Sequence, residues 1–129
     1  MPFVRLTLNR PELPQETVDT LASTITDLLA QDLRKIARIT VMSVDLQPER
    51  SWFVGAAPVE GVGGHLDVLL SDGINTDEEK AAFIAHAHAE LGRILGPLAS
   101  VFYVALHEVP PLNWGYNGIP QGVRVEETD

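Results

Sequence analysis

The residue with most chemistry to offer stands at position 2. Once Met1 is removed, the nitrogen of Pro2 is a free secondary amine on a rigid ring. An α-amino group ionises near pH ~8, and burial or a neighbouring cation lowers that value because both disfavour the charged form. Such an amine can serve as a base or a nucleophile near neutrality. The plainer reading is that proline at position 2 merely permits methionine removal; with Met1 retained, the nitrogen is an amide and has no basic lone pair. Few other groups compete. The chain has no cysteine, which excludes thiolate catalysis, disulfides and cysteine-based metal sites. His86 and His88 are two apart in a helical segment and point to different faces, so they do not form a metal pair. His107 reads as a core or interface residue. The run Gly61-Val62-Gly63-Gly64 does not open a helix after a strand, as a nucleotide loop would. No metal and no cofactor is expected.

The elements that would position Pro2 follow from periodicity, and they come twice. Residues 3–8 (FVRLTL) alternate as a strand does. After the breakers Asn9, Arg10 and Pro11, residues 14–34 carry Val18, Leu21, Ile25, Leu28, Leu29 and Leu33 at helical spacing. Residues 39–46 read as a second strand, followed by the short apolar piece Trp52-Phe53-Val54-Gly55. The order then returns. Residues 65–70 are a strand, Thr76 with Glu79 is a capping box opening a helix to about residue 95, residues 101–109 are a strand, and Trp114-Gly115-Tyr116-Asn117-Gly118 is a second apolar–glycine piece. Aligning Pro2 with His65, and Asp45 with Glu108, gives an offset of 63; the two tryptophans give 62. The whole chain, 1–129, reads as one domain of two pseudo-repeats, about 2–60 and 65–122.

Within each unit a long helical crossover predicts a parallel, right-handed strand pair. The fold class expected is α/β, an α+β two-layer sandwich: two fused β-α-β units forming a four-stranded sheet with both helices on one face. The other sheet face also reads as apolar, through Phe3, Val101, Tyr103 and Ala105, and self-association would cover it. The composition suits a globular protein of 129 residues, with 45% apolar and 21% charged residues. A net charge of −9 argues against nucleic acid and against anionic membrane surfaces. No stretch approaches transmembrane length and no signal-peptide pattern opens the chain, so a cytoplasmic location is expected. The acidic end, Glu126-Glu127-Thr128-Asp129, reads as solvated, after residues 122–125 as an edge strand paired with a neighbouring chain.

These landmarks resemble the tautomerase superfamily. The second half is similar to 4-oxalocrotonate tautomerase from His65 to Gly118, through Thr76-Asp77-Glu78-Glu79-Lys80, Glu108-Val109 and Trp114 to Gly118. The opening Pro2-Phe3-Val4-Arg5-Leu6, with Asn9 and Pro11, resembles the macrophage migration inhibitory factor branch, as does Asn113 to Asn117. The resemblance implies a homotrimer with its sheets facing inward, a small-molecule substrate, and a tautomerase moving a proton in enol or unsaturated keto acids with Pro2 as base. It implies substrate-binding roles for Lys35, for Arg10 near the place of a family arginine, for Tyr103 supplied by a neighbouring chain, and for Trp114 as a pocket wall. Trp52 is then structural. It also places His65 where the second unit would carry its proline. The family's dehalogenases and decarboxylase use arginines after the third strand, where this chain has Ser71-Asp72-Gly73-Ile74-Asn75, so those activities rank lower. A hydratase, or a non-catalytic binding module that keeps Met1, stays open.

Overall fold

The computed structural model describes residues 1–123; the expectations for residues 124–129 lie outside the described residues. The chain order is β1 (Phe3–Leu8), α1 (Gln15–Leu33), β2 (Val41–Leu46), the hairpin β3 (Phe53–Val54) and β4 (Ala57–Pro58), β5 (Gly64–Ser71), α2 (Asp77–Leu95), β6 (Tyr103–Val109), and the hairpin β7 (Gly115–Tyr116) and β8 (Ile119–Pro120). Four strands form one sheet in the order β2-β1-β5-β6. The β1/β2 and β5/β6 pairs are parallel, and β1 meets β5 antiparallel. The expected α+β layering is therefore present, as two β-α-β units joined edge to edge.

Alternation decides which side chains face the helices. Val4, Leu6 and Leu8 of β1 and Leu66, Val68 and Leu70 of β5 are fully buried against Leu21, Ile25, Leu29 and Leu33 of α1 and Phe83, Ala87 and Leu91 of α2. Burying each large apolar side chain contributes about 1.5–3 kcal/mol, which is what holds both helices to one sheet face. Helix α2 starts as its sequence predicts. The Thr76 hydroxyl accepts from the Glu79 N–H at 3.1 Å, and the Glu79 carboxylate accepts from the Thr76 N–H at 2.9 Å. Two strands begin later than their alternation suggests. Residues 37–39 make a 3₁₀ turn before β2, and Val101–Phe102 precede β6 as a turn and a buried plug.

The repeat is in register at 62 positions, not 63. The two helices, the strand pairs Phe3↔Val41 and His65↔Tyr103, and the hairpin bonds Val59 N–H to Trp52 O and Gln121 N–H to Trp114 O all obey it. An odd offset would turn every core residue of one strand toward the opposite face of its copy. Hence Gly64, not His65, is the counterpart of Pro2, and Val41 is that of Tyr103.

The sheet face away from the helices is mixed rather than apolar throughout. Phe3, Val41, Leu69, Tyr103 and Ala105 lie on it with Arg5, Asp45, His65, Asp67 and His107. Asp67 pairs with His65 and, at 2.7 Å, with His107, while Arg5 stacks over the Phe3 ring. Tyr103 is 65% exposed there and Val41 44%. Apart from the two hairpin segments at its ends, which bring Trp52 to His65 and Trp114 to Phe3 and Leu69, none of the described elements covers this face.

Candidate active site

Pro2 is buried at the start of β1, and its carbonyl accepts from the Val41 N–H at 3.1 Å. That bond fixes the ring against β2. The β7–β8 hairpin folds over the same end of the sheet, and between them lies a cavity of about 290 Å³ lined by Pro2, Phe3, Leu69, Trp114, Tyr116 and Gln121, with Met1 at its wall. It is mainly apolar, as small-ligand sites usually are. The structure thus brings Pro2 and Trp114 to one cavity.

The two tryptophans differ in a way their matching positions conceal. Trp52 donates its indole N–H to the Gln47 side chain at 3.1 Å, while its ring lies 5.4 Å from that of His65. The Trp114 indole nitrogen is buried and has no hydrogen-bond partner among the described residues. Buried indole N–H groups are normally paired, so this unpaired donor on a residue of the cavity wall sets Trp114 apart from Trp52.

Lys35 follows α1 at the same end of the sheet but is not among the residues that line the cavity. Arg34 ends α1 in the left-handed conformation, φ 59°, and the Lys35 N–H donates back to Leu29 O. The turn is pinned from outside. Arg34 forks onto the Glu79 carboxylate at 2.7 and 3.2 Å and donates to Ile74 O, and Asn75 donates to Leu33 O at 2.9 Å. The result carries Lys35 inward to 4% exposure with its ammonium unpartnered among the described residues. Burial first, then the Arg34 charge, lowers its pKa to about 8, against the opposing pull of Glu79 and Glu108. The Arg34 hydrogen bonds and the Thr76 N–H hold Glu79 itself down to about 2.

Arg10 and Tyr103 are elsewhere. Arg10 follows the far end of β1, bonds the Asn9 carbonyl and side chain at 2.9 Å, and lines a different groove, of about 730 Å³, with Gly61, Pro97 and Ser100. Tyr103 opens β6 opposite His65, also at that far end. A six-residue strand spans roughly 20 Å, so neither residue reaches Pro2 within one chain. Gln121, which the sequence reading passed over, is in the cavity wall. The signal for it is the repeat: Gln121 stands seven residues after Trp114 as Val59 stands seven after Trp52, an amide replacing an apolar side chain.

Residues 65–124 match the family described as Tautomerase enzyme. That match covers the second unit, and over nearly the whole chain the likeness is one of fold. Among solved structures with this fold is a fused 4-OT described as an asymmetric trimer, 17% identical, TM-score 0.82, covering 93% of this chain and 96% of that one. A macrophage migration inhibitory factor homologue from Prochlorococcus marinus is 19% identical, TM-score 0.74, covering 93% and 99%. A migration inhibitory factor-like protein from Entamoeba histolytica is 17% identical, TM-score 0.73, covering 90% and 95%. No curated protein matches the sequence. Among the described residues, no helix of this tautomerase fold is long and apolar enough to cross a membrane.

Proposed function

We propose that the protein is a tautomerase acting on small enol or unsaturated keto acids, with the Pro2 amine, freed by removal of Met1, as its base. One observation carries the reading: Pro2 is buried at the wall of a mainly apolar cavity that Trp114 also lines. A dry wall disfavours the ammonium form and keeps the base neutral near pH 7. Proton transfer in such a cavity needs no redox partner. The neutral amine takes a proton from one end of the conjugated system and returns it to the other, and charge builds on the oxygen between the two steps.

Lys35 supplies positive charge for the substrate carboxylate in this reading. Arg10 and Tyr103 serve a neighbouring chain's cavity, because both lie a strand's length from their own. A homotrimer, the state named for the fused 4-OT neighbours, would bring them there, and the cytoplasm is the proposed location.

The test compares processed protein with the same chain carrying one extra residue ahead of Pro2. Processed protein should ketonise phenylenolpyruvate, with a pH–rate limb at the amine's pKa below about 8. The extended chain should be inactive, because its Pro2 nitrogen is an amide. Equal turnover by the two would remove the amine from the mechanism.

A further inference from the structure

Gln121 holds the amino-terminal residue with both ends of its amide. Its Nε2 donates to the Met1 carbonyl oxygen at 3.0 Å, and its Oε1 accepts from the Met1 ammonium at 3.3 Å. The side chain is 8% exposed and shares the cavity with Pro2 and Trp114. Its backbone is fixed independently of Met1: the Gln121 N–H donates to Trp114 O and the Gly122 N–H to Pro111 O, both at 2.8 Å. The first unit repeats the backbone bond, Val59 N–H to Trp52 O, but puts an apolar side chain there. The hairpin does not need an amide at this position. Only the copy that closes over Pro2 has one.

The Met1 carbonyl is a stand-in. Its carbon is bonded to the Pro2 nitrogen, so its oxygen marks a point two bonds from the atom proposed as base. When Met1 leaves, that point opens to the cavity and the buried Gln121 donor loses its acceptor. A carbonyl or enol oxygen of a substrate set against the amine is the group whose chemistry replaces it.

We infer that Gln121 is a catalytic residue of the tautomerase, its Nε2–H donating to the substrate oxygen that carries the negative charge between the two proton transfers. This rests on the proposed role of Pro2. In the ketonising direction the neutral Pro2 nitrogen takes the enol hydroxyl proton, and the O–H electron pair stays on oxygen. Gln121 donates to that oxygen. The carbon–carbon π pair then takes the proton back from the prolinium at carbon, the carbonyl forms, and the amine is neutral again. No electron is gained or lost. A fixed donor aimed at developing charge acts on the transition state more than on the ground state.

The experiment uses processed protein with phenylenolpyruvate, comparing wild type with Gln121→Leu, Gln121→Met and Gln121→Glu. The apolar variants should lose roughly a hundredfold in kcat while KM stays within about threefold. Gln121→Glu should lose at least as much, since a carboxylate cannot donate and repels the enolate. Thermal melting identifies the variants that fold, and the methionine variant keeps the side-chain length where leucine does not fit. A folded apolar variant with wild-type kcat overturns the assignment. The extended chain separates the two claims: if blocking Pro2 abolishes turnover but Gln121→Leu does not lower it, only the Gln121 role fails. If the processed wild type turns over no probe, binding read by tryptophan quenching takes the place of turnover. The probe that decides is oxalate, a stable mimic of the charged enolate: its dissociation constant should rise severalfold for Gln121→Leu while that of phenylpyruvate holds, and an unchanged oxalate value overturns the role.

Discussion

Lys35 occupies surroundings that oppose its own charge. Its ammonium is buried and unpartnered, next to the Arg34 guanidinium, and its pKa falls to about 8 from an ordinary 10.5. Because the folded value lies below the unfolded one, folding is penalised wherever the lysine is protonated. The penalty is full below pH 8, shrinks as pH rises toward 10.5, and vanishes above it. Lys35→Met should therefore stabilise the protein by on the order of 2 kcal/mol at pH 7, with the gain gone near pH 10.5. Urea unfolding at the two pH values checks this, and a gain that did not close at high pH would place its origin in packing. The same change should weaken binding of anionic acids if Lys35 meets their carboxylate. The lysine's position was legible from the family resemblance, but its burial was not. A charge just after a helix reads as solvated, and the inward swing depends on the left-handed turn at Arg34 and on contacts from Ile74, Asn75 and Glu79 some 40 or more residues away. Gln121 was less legible still, since its partner is 120 positions distant.

At the scale of elements, the two units are joined where β1 meets β5, and Gly64 sets how closely. Its φ is +156°, and a Cβ there would lie 1.9 Å from the Thr7 carbonyl oxygen. Gly64→Ala must push the central strands apart and should cost ~3 kcal/mol or more. Gly73→Ala is the comparison, with φ +77° but nothing within 4 Å of its Cβ, and should cost only about 1 kcal/mol. Denaturant midpoints rank the two, and near-equal losses would show that Gly64 owes its presence to backbone conformation alone. The elements themselves were largely readable, because alternation and 3.6-residue spacing are local. Thr76 and Glu79 mark the start of α2 unaided. The strand starts were not readable: Ile39, Thr40, Val101 and Phe102 are of strand-favouring type, yet they turn the chain into the sheet. The offset of the repeat was misread by one for a related reason. Chemical likeness between isolated residues, such as Asp45 and Glu108, does not register the two-residue period of a strand.

For the molecule as a whole, the sheet order β2-β1-β5-β6 leaves, among the described residues, most of one face without cover and both outer strands with open edges. That face carries the exposed Val41 and Tyr103 on its outer strands and Phe3 and Leu69 on the inner pair, with Asp67 and its two histidines in its β5–β6 half. A homotrimer would cover the face and deliver Tyr103 to another chain's Pro2. Sedimentation at micromolar concentration should show three chains, and a stable monomer would end that proposal. Within the trimer Tyr103→Phe should lower turnover severalfold while the melting temperature holds, since only a hydroxyl is removed from a ring that stays. Equal turnover would leave Tyr103 as an interface aromatic.

Joining the units end to end also fixes a stoichiometry. A polypeptide has one amino terminus, so the second unit cannot present a free amine whatever residue begins it. At that place Gly64 lies against Thr7 with no room for a side chain. The first hairpin, with its Trp52 already bonded and Val59 in place of the amide, matches a site that never receives a base. An amine-directed reagent aimed at the cavity should consume one equivalent per chain, half of what two separate copies of the unit would take.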